Sequence, residues 1–338
     1  MVRLPDSPIK KGLARPHKIP QFVWKLITTP PRQYRVGQLQ DELPKQPNCL
    51  YKLRQKEEFC LIILDACRFD KLAEEFDKYF VGTCDPIWSV ATSTFEFLRY
   101  LWPEEYEYPY ITAAAPITSQ EFDFQAGEEA DGMASDGQEL YLRYGGYRPR
   151  NHFRDLVEVW RESWDEDLGV TPPEPVTKKA IEIVGNKNTN RAVVHFFQPH
   201  GPFIGEETLL GDIKEYDTNV RGGAVESGIW NHARENRISD EQLNRLYESN
   251  LHRVLAAVAR LVQKTNFEKY VITGDHGEAL GEYGQYYHGI EHPMVRQVPW
   301  AEISAVKDSA PEMWGYQDSS TSADKDTIER LQELGYIE

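Results

Sequence analysis

Hydrophobic positions along this chain fall into two alternating patterns. Short, continuous apolar runs of strand length are separated by stretches in which apolar residues recur every three or four positions. That alternation predicts an α/β fold with a mostly parallel sheet buried beneath helices. Three runs stand out: EEFCLIILDA (57–66), AVVHFFQPHGPF (192–203) and KYVITGDHGEALGE (269–282). Between them, RFDKLAEEFDKYF sets Phe69, Leu72, Phe76 and Phe80 on one helical side. TSTFEFLRYLW predicts another helix, its Thr/Ser start supplying an N-cap. A long third helix follows from Ser239, with Leu243, Leu246, Asn250, Val254, Val258 and Leu261 near one stripe. DKDTIERLQELGYIE predicts a capped amphipathic helix that closes at Gly335. The stretch from about 103 to 150 has little periodicity and predicts loops, with one strand around YITAAAP.

Each of the three apolar runs delivers polar residues at its carboxyl end: Asp65, then His200, then Asp275 and His276. In open α/β sheets the ligand crevice lies outside those ends, so segments far apart in sequence can meet at one site.

Composition narrows the picture. The chain has 338 residues with 38 basic against 54 acidic side chains, a net charge of −16. An acidic balance excludes a generic nucleic-acid binder, which gains affinity by releasing counterions from phosphate. No run approaches the roughly 20 apolar residues of a membrane span. The first residues, MVRLPDSPIKKG, lack the apolar core of a secretory signal, so the expectation is a cytoplasmic protein. Four cysteines, without C-x-x-C spacing, suit neither a disulfide scaffold nor a zinc knuckle. Residues 1–40 carry eight Lys or Arg and one acid, Asp6. We therefore divide the chain into a basic, proline-containing arm (1–44), a catalytic domain (45–305) and a tail with the amphipathic helix (306–338). The arm is expected to lie along the acidic body, with a peripheral contact to an anionic lipid surface as the alternative.

Chemistry concentrates in a few residues. Asp275 and His276 pair a hard and a borderline metal ligand at a strand end, and Gly274 and Gly277 let the backbone turn there. Taken alone, an Asp-His pair is more often a satisfied turn. Asp65 strengthens the metal reading, because an ionised carboxylate ending an apolar strand is costly unless paired or coordinated; its alternative role is a helix N-cap. In ATSTFEF (91–97), hydroxyls at a helix N-terminus sit where amides and the helix dipole attract anions. Capping alone would account for them if they stood by themselves.

Together these segments resemble the alkaline phosphatase superfamily, in its sulfatase-like branch. LIILDACRFD resembles the first metal-ligand strand, and ATSTFEF the Thr-Ser-x-x-Glu-Phe segment of lipoteichoic-acid-synthase-like phosphoglycerol transferases. HFFQPHGPF is similar to the His-x-Pro-Phe segment of sulfatases, and VITGDHGEALGEYG to the Asp-His-Gly-Glu metal motif. The resemblance spans about 57–305 and implies a three-layer α/β/α fold. It also implies that Asp65, Thr92, Asp275 and His276 hold one divalent metal (Mn, Mg or Zn). Thr92, four residues before Glu96, would be the nucleophile, with Thr94 as runner-up. His200 and His288 would contact the transferred group or protonate the leaving oxygen. The substrate would be an anionic phosphate ester, less readily a sulfate ester, on a glycan, a lipid-linked polymer or a small molecule.

Departures from the family refine this. Cys84-Asp85-Pro86-Ile87-Trp88 mimics the formylglycine motif but has Trp88 where arginine is needed, so formylglycine chemistry is disfavoured. No Asp-x-x-x-His lies between His200 and Asp275, which favours one metal over two. Glu248 and His252 read as a solvated helix face. Asp70 and Glu282 read as surface positions, with contacts behind the metal ligands as the alternative. An acidic body needs a locally positive pocket, to which Arg68 or Arg296 are candidates. Against the ester hydrolase or transferase stand a catalytically silent binding protein with the same fold and a metal-dependent isomerase or mutase.

Overall fold

The computed structural model describes residues 19–114, 117, 147–165, 167–187, 189–208 and 223–313. The amphipathic helix expected near the carboxyl end, and the first 18 residues of the basic arm, lie outside the described residues.

The chain enters through α1 (Ile19–Glu42) and α2 (Gln46–Arg54), then builds β1 (Phe59–Leu64), α3 (Phe69–Tyr79), β2 (Phe80–Trp88) and α4 (Thr94–Leu101). Strands β3 (Tyr110–Thr112) and β4 (Leu156–Glu158) precede α5 (Pro173–Lys187) and β5 (Arg191–Phe196). Helices α6 (Gly223–Arg234) and α7 (Asp240–Lys264) lead to β6 (Tyr270–Gly274). A ribbon of β7 (Ala279–Leu280) and β8 (Tyr286–Tyr287) precedes β9 (Gln297–Val306).

Seven strands form one sheet in the order β2-β9-β6-β1-β5-β3-β4. The pairings are parallel except those made by β9, which runs against both β6 and β2. Strand β1 is central, and its residues go alternately to two cores. Cys60, Ile62 and Leu64 pack with α3, α5 and α7, through residues such as Leu72, Val176 and Leu255. Phe59, Leu61 and Ile63 pack on the other side with α2 and α4, against Leu50, Leu53, Phe97 and Leu101. This is the expected sheet between two helical layers, and it explains why β1 reads as continuously apolar: both faces are covered. Truncating Ile62 to Ala should cost about 2–5 kcal/mol, measured by urea unfolding, because the fully buried site offers no room to collapse.

The long helix agrees with its periodicity. Ser239 caps it by accepting from the Gln242 amide at 3.1 Å, and Leu243, Leu246, Asn250, Val254, Val258 and Leu261 are all buried. Residues 19–42, expected as part of the basic, proline-containing arm, form a helix with Pro30 and Pro31 inside it. It packs on the turn Glu282–Gly284 and on the short helix Pro293–Arg296. Among the described residues no helix is long and apolar enough to cross a membrane.

Candidate metal and phosphoryl-transfer site

Strands β6, β1 and β5 are neighbours and parallel, so their carboxyl ends open at one edge of the sheet. The turn after β1 ties them together. The Asp65 amide donates to the Phe196 carbonyl at 3.1 Å, and the His200 amide donates to the Asp65 carbonyl at 3.1 Å. Ala66 adopts a left-handed φ of 58°, which is uncommon for a residue with a side chain. Its N–H donates to Asp275 Oδ1 at 3.1 Å, while its carbonyl accepts the Tyr247 hydroxyl at 2.8 Å. The Tyr247 oxygen in turn accepts the Arg68 amide at 2.9 Å. On the other side, the Gly289 amide donates to the Thr92 carbonyl at 2.8 Å, joining the His288 loop to the start of α4.

One donor set results from Asp65, Asp275 and His276. His276 Nε2 lies 3.6 Å from Asp65 Oδ1 and 3.5 Å from Asp275 Oδ2. A tetrahedral ion about 2.0–2.1 Å from each ligand separates them by roughly 3.3 Å, so the spacing fits. The orphaned atoms fit as well: buried His276 Nε2 and Asp275 Oδ2 have no hydrogen-bond partner among the described residues. His276 Nδ1 lies 2.9 Å from the Gly277 carbonyl, which fixes Nδ1–H and leaves the Nε2 lone pair facing the carboxylates. Burial pushes the Asp275 carboxyl up, but His276, His195, the Thr94 hydroxyl and the Ala66 amide outweigh it and hold it below the usual carboxylate range. Burial pushes His276 down, against the pull of Asp275. A neutral imidazole beside two buried carboxylates is a donor set suited to a divalent cation.

A second set comprises His200, Glu278 and His288. His200 Nδ1 lies 2.6 Å from the Gly201 carbonyl, and His288 Nδ1 lies 3.3 Å from Glu278 Oε2. The His288 ring sits between the two sets, 4.3 Å from the His276 ring and 5.1 Å from that of His200. Burial, then His276 and His200, push the His288 pKa well down, so the ring is neutral near pH 7. Glu278 closes the Asp-His-Gly-Glu motif, whose spacing assigns it no role; buried at 1 % exposure beside His288, it is part of the site.

The two threonines part company here. Thr92 donates from both its amide (2.8 Å) and its hydroxyl (2.9 Å) to Glu96 Oε2, so a glutamate in the first turn of α4 secures the segment before the helix. Ser93 occupies the N-cap position without a side-chain cap bond. Thr94, at the first helical position, directs its hydroxyl to Asp65 Oδ2 at 3.4 Å. It is Thr94, therefore, that lies against the first donor set.

The cations expected to make the pocket positive are committed elsewhere. Arg68 is 3 % exposed and bonds Asp70 through Nε (2.9 Å) and Nη2 (2.6 Å), and Glu282 through Nη1 (2.6 Å). Asp70 and Glu282 are thus partners of a buried arginine that fastens the Asp65 turn to the His288 loop. Arg296 donates to the Ser89 carbonyl at 2.8 Å and pairs with Glu291. Glu248 pairs with Lys71 and His252 with Glu75, both away from the site.

Gly274 and Gly277 matter for a different reason from the one expected. Neither has a positive φ. A Cβ at Gly277 would meet the Met294 carbonyl oxygen at 2.1 Å, and one at Gly274 the Cys67 carbonyl oxygen at 2.7 Å. Close backbone approach, not a left-handed turn, selects glycine on both sides of Asp275–His276. The formylglycine-like segment at Cys84 lies in β2, paired antiparallel with β9 at the sheet edge, with Cys84 opposite Ala301.

No protein-family model matches the chain, and no curated protein matches it. Among solved structures it is similar to the soluble domain of lipooligosaccharide phosphoethanolamine transferase A from Neisseria meningitidis, at 16 % identity over 79 % of this chain and 78 % of that one, with a TM-score of 0.40. It is also similar to a zinc complex of the periplasmic domain of EcEptC from Escherichia coli (11 % identity, 74 % of each chain, TM-score 0.38). A third is phosphonate monoester hydrolase of Agrobacterium radiobacter (15 % identity, 73 % and 68 %, TM-score 0.38). These neighbours belong to the alkaline phosphatase superfamily, in its sulfatase-like branch. The case for chemistry in this chain rests on its four motifs and on the sheet that gathers them.

Proposed function

We propose that this protein is a divalent-cation-dependent enzyme that transfers or hydrolyses phosphate esters, with Thr94 as nucleophile. One observation carries the reading: two buried carboxylates, a lone-pair-bearing imidazole and a helix-terminal hydroxyl face one another at the carboxyl ends of the neighbouring strands β1 and β6. Asp65, Asp275 and His276 would hold the cation. When bound, it supplies positive charge that lowers the pKa of a hydroxyl and offsets charge developing on phosphoryl oxygens.

This chain's residues account for the rest. Thr94 Oγ1 forms a bond to phosphorus while the bond to the leaving alcohol breaks. The Thr94 proton passes to Asp65 Oδ2, its nearest acceptor, and departs with the alcohol. In the second step a water or an acceptor alcohol attacks phosphorus, the P–Oγ1 bond breaks, and the proton that the incoming hydroxyl gives up to His288 is passed on to Oγ1, restoring the Thr94 hydroxyl. His288, neutral and holding its Nδ1–H on Glu278, takes the incoming proton at Nε2. A neutral imidazole is a base, so we assign His288 to this step rather than to protonating the leaving group. The first turn of α4 directs amides at the same place, and the helix dipole favours an anion there.

The test is chelation and reconstitution. Protein stripped with EDTA should lose turnover of aryl phosphate mono- and diesters and regain it, by about 10²-fold or more, with Zn²⁺, Mn²⁺ or Mg²⁺. Aryl sulfate should be turned over least. A protein that rebinds cation stoichiometrically yet turns over none of these esters would be the silent binding protein instead. Two cations per chain would move His200, Glu278 and His288 from proton handling to coordination.

A further inference from the structure

His195 lies inside β5 and is fully buried, a position where a histidine reads as core. Its surroundings are not those of a core residue. Nδ1 is 2.8 Å from the Tyr110 hydroxyl on β3, and the ring meets Phe97 of α4 edge-on at 6.4 Å. Nε2 points the other way, 4.0 Å from Asp275 Oδ2, and has no hydrogen-bond partner among the described residues. Asp275 Oδ2 has none either, whereas Oδ1 accepts from the Ala66 and His276 amides.

The tautomer follows from counting protons. Tyr110 and His195 are both fully buried, and neither has an opposite charge within hydrogen-bond distance, so both groups are neutral. Tyr110 then holds one proton, His195 holds one, and a single contact joins them. If Nδ1 carried the imidazole proton, the phenol proton would have no acceptor on that side. The Nε2 lone pair would also face a carboxylate lone pair in a site without solvent. With the phenol donating to Nδ1, both penalties vanish and Nε2–H points at Asp275. At 4.0 Å it acts as an oriented dipole rather than as a hydrogen bond.

We propose that His195, held by Tyr110 as its Nε2–H tautomer, is a positioning residue for Asp275: it keeps Oδ2 turned toward the cation site and is not itself a ligand. The inference rests on reading Asp275 as a cation ligand, and its test does not require turnover. Outer groups that orient a ligating carboxylate typically influence affinity by 10–100-fold.

The decisive measurement is long-range ¹H–¹⁵N correlation on selectively ¹⁵N-histidine-labelled wild-type protein, apo and Zn²⁺-loaded. The His195 pattern should be that of a neutral ring protonated at Nε2 in both states. A proton at Nδ1, or an Nε2 resonance shifted to that of a coordinated nitrogen on adding Zn²⁺, overturns the proposal. Calorimetric Zn²⁺ titration adds the second readout. His195→Phe should bind about 10–100-fold more weakly, and His195→Gln, which keeps an N–H near Nε2, should recover most of that loss. Unchanged affinity in His195→Phe overturns the positioning role, as would His195→Gln binding no better than Asp275→Asn. Should His195→Phe fail to fold, the wild-type tautomer still decides the matter. A wild type that binds Zn²⁺ with this tautomer but turns over no ester would sink the proposed activity and leave the role of His195 standing.

Discussion

Asp275→Asn is expected to abolish cation binding while leaving the apo protein folded but somewhat less stable than wild type. The two halves of this result have different causes. In the apo protein Asp275 is a fully buried carboxylate beside Asp65, each approaching the same imidazole nitrogen within 3.6 Å. Removing the Asp275 charge relieves a desolvation cost, but it also forfeits the larger attraction that holds this carboxyl ionised in the fold, so the net effect is a loss. Asparagine can still accept from the Ala66 and His276 amides through its carbonyl, so the turn after β1 keeps its tether. The same geometry then places the amide NH₂ where Oδ2 stood, and an N–H offers a cation no lone pair. Wild type at a free cation concentration of 100 Kd should gain about 2.7 kcal/mol of stability by mass action. The variant should gain none, and turnover should fall by about 10³-fold or more. Thermal melts with and without Zn²⁺ or Mn²⁺ read both halves at once. A variant that keeps the cation-dependent rise in Tm would remove Asp275 from the donor set.

Much of the architecture is written in local periodicity, and the exceptions have physical causes. Strands β1, β5 and β6 are legible because both faces are buried. Strand β2 is not, for it lies at the sheet edge, alternates irregularly between exposed and buried positions, and contains Pro86, which an edge tolerates. Strand β9, which covers β6, holds Pro299 and carries the partly exposed Glu302 and the exposed Ser304, so it too lacks a continuous apolar signal. Phe80 shows how a correct pattern can mislead. It follows Phe76 by four residues and fits the helical stripe, yet it opens β2. The two rings still meet at 5.4 Å, because the chain leaves the helix without leaving its core.

The donor atoms of the site were more legible than their orientation. A carboxylate closing an apolar strand and an Asp-His pair closing another announce themselves by the cost of burying them unpartnered. What no local pattern encodes is which partners aim them. The Tyr247 hydroxyl bridges Ala66 and Arg68 across some 180 residues, and the pairing of Arg68 with Glu282 spans more than 200. Arg68 reads from the sequence as a spare positive charge near the metal motif. In the folded protein its charge is used up holding the His288 loop, so under the proposed function anion recognition would fall to the cation, the imidazoles and the amides of α4.

Thr94→Ala should lower turnover by about 10³-fold or more, and Thr92→Ala by far less. The motif spacing favours Thr92, since the pattern counts four residues back from Glu96. Geometry favours Thr94 because of what Glu96 does with that spacing: it accepts both the amide and the hydroxyl of Thr92, occupying them in holding the segment before α4. Thr92→Ala therefore loses one hydrogen bond to a carboxylate, a stability cost of about 1.5–3 kcal/mol, while its amide bond to Glu96 survives. Thr94 has no comparable structural employment. Its hydroxyl reaches Asp65 from the first turn of a helix, where an attacking oxygen and the group it attacks would share the same field. Thr94→Ser keeps the hydroxyl on the same Cβ and should retain most of the activity, whereas Thr94→Val, close in shape, should match Thr94→Ala. Acid quench during turnover of an aryl phosphate, followed by peptide mapping, should place the phosphoryl group on residue 94. Finding it on Thr92, together with the reverse ranking of the two alanine variants, would mean that Glu96 releases Thr92 on substrate binding and serves as its base.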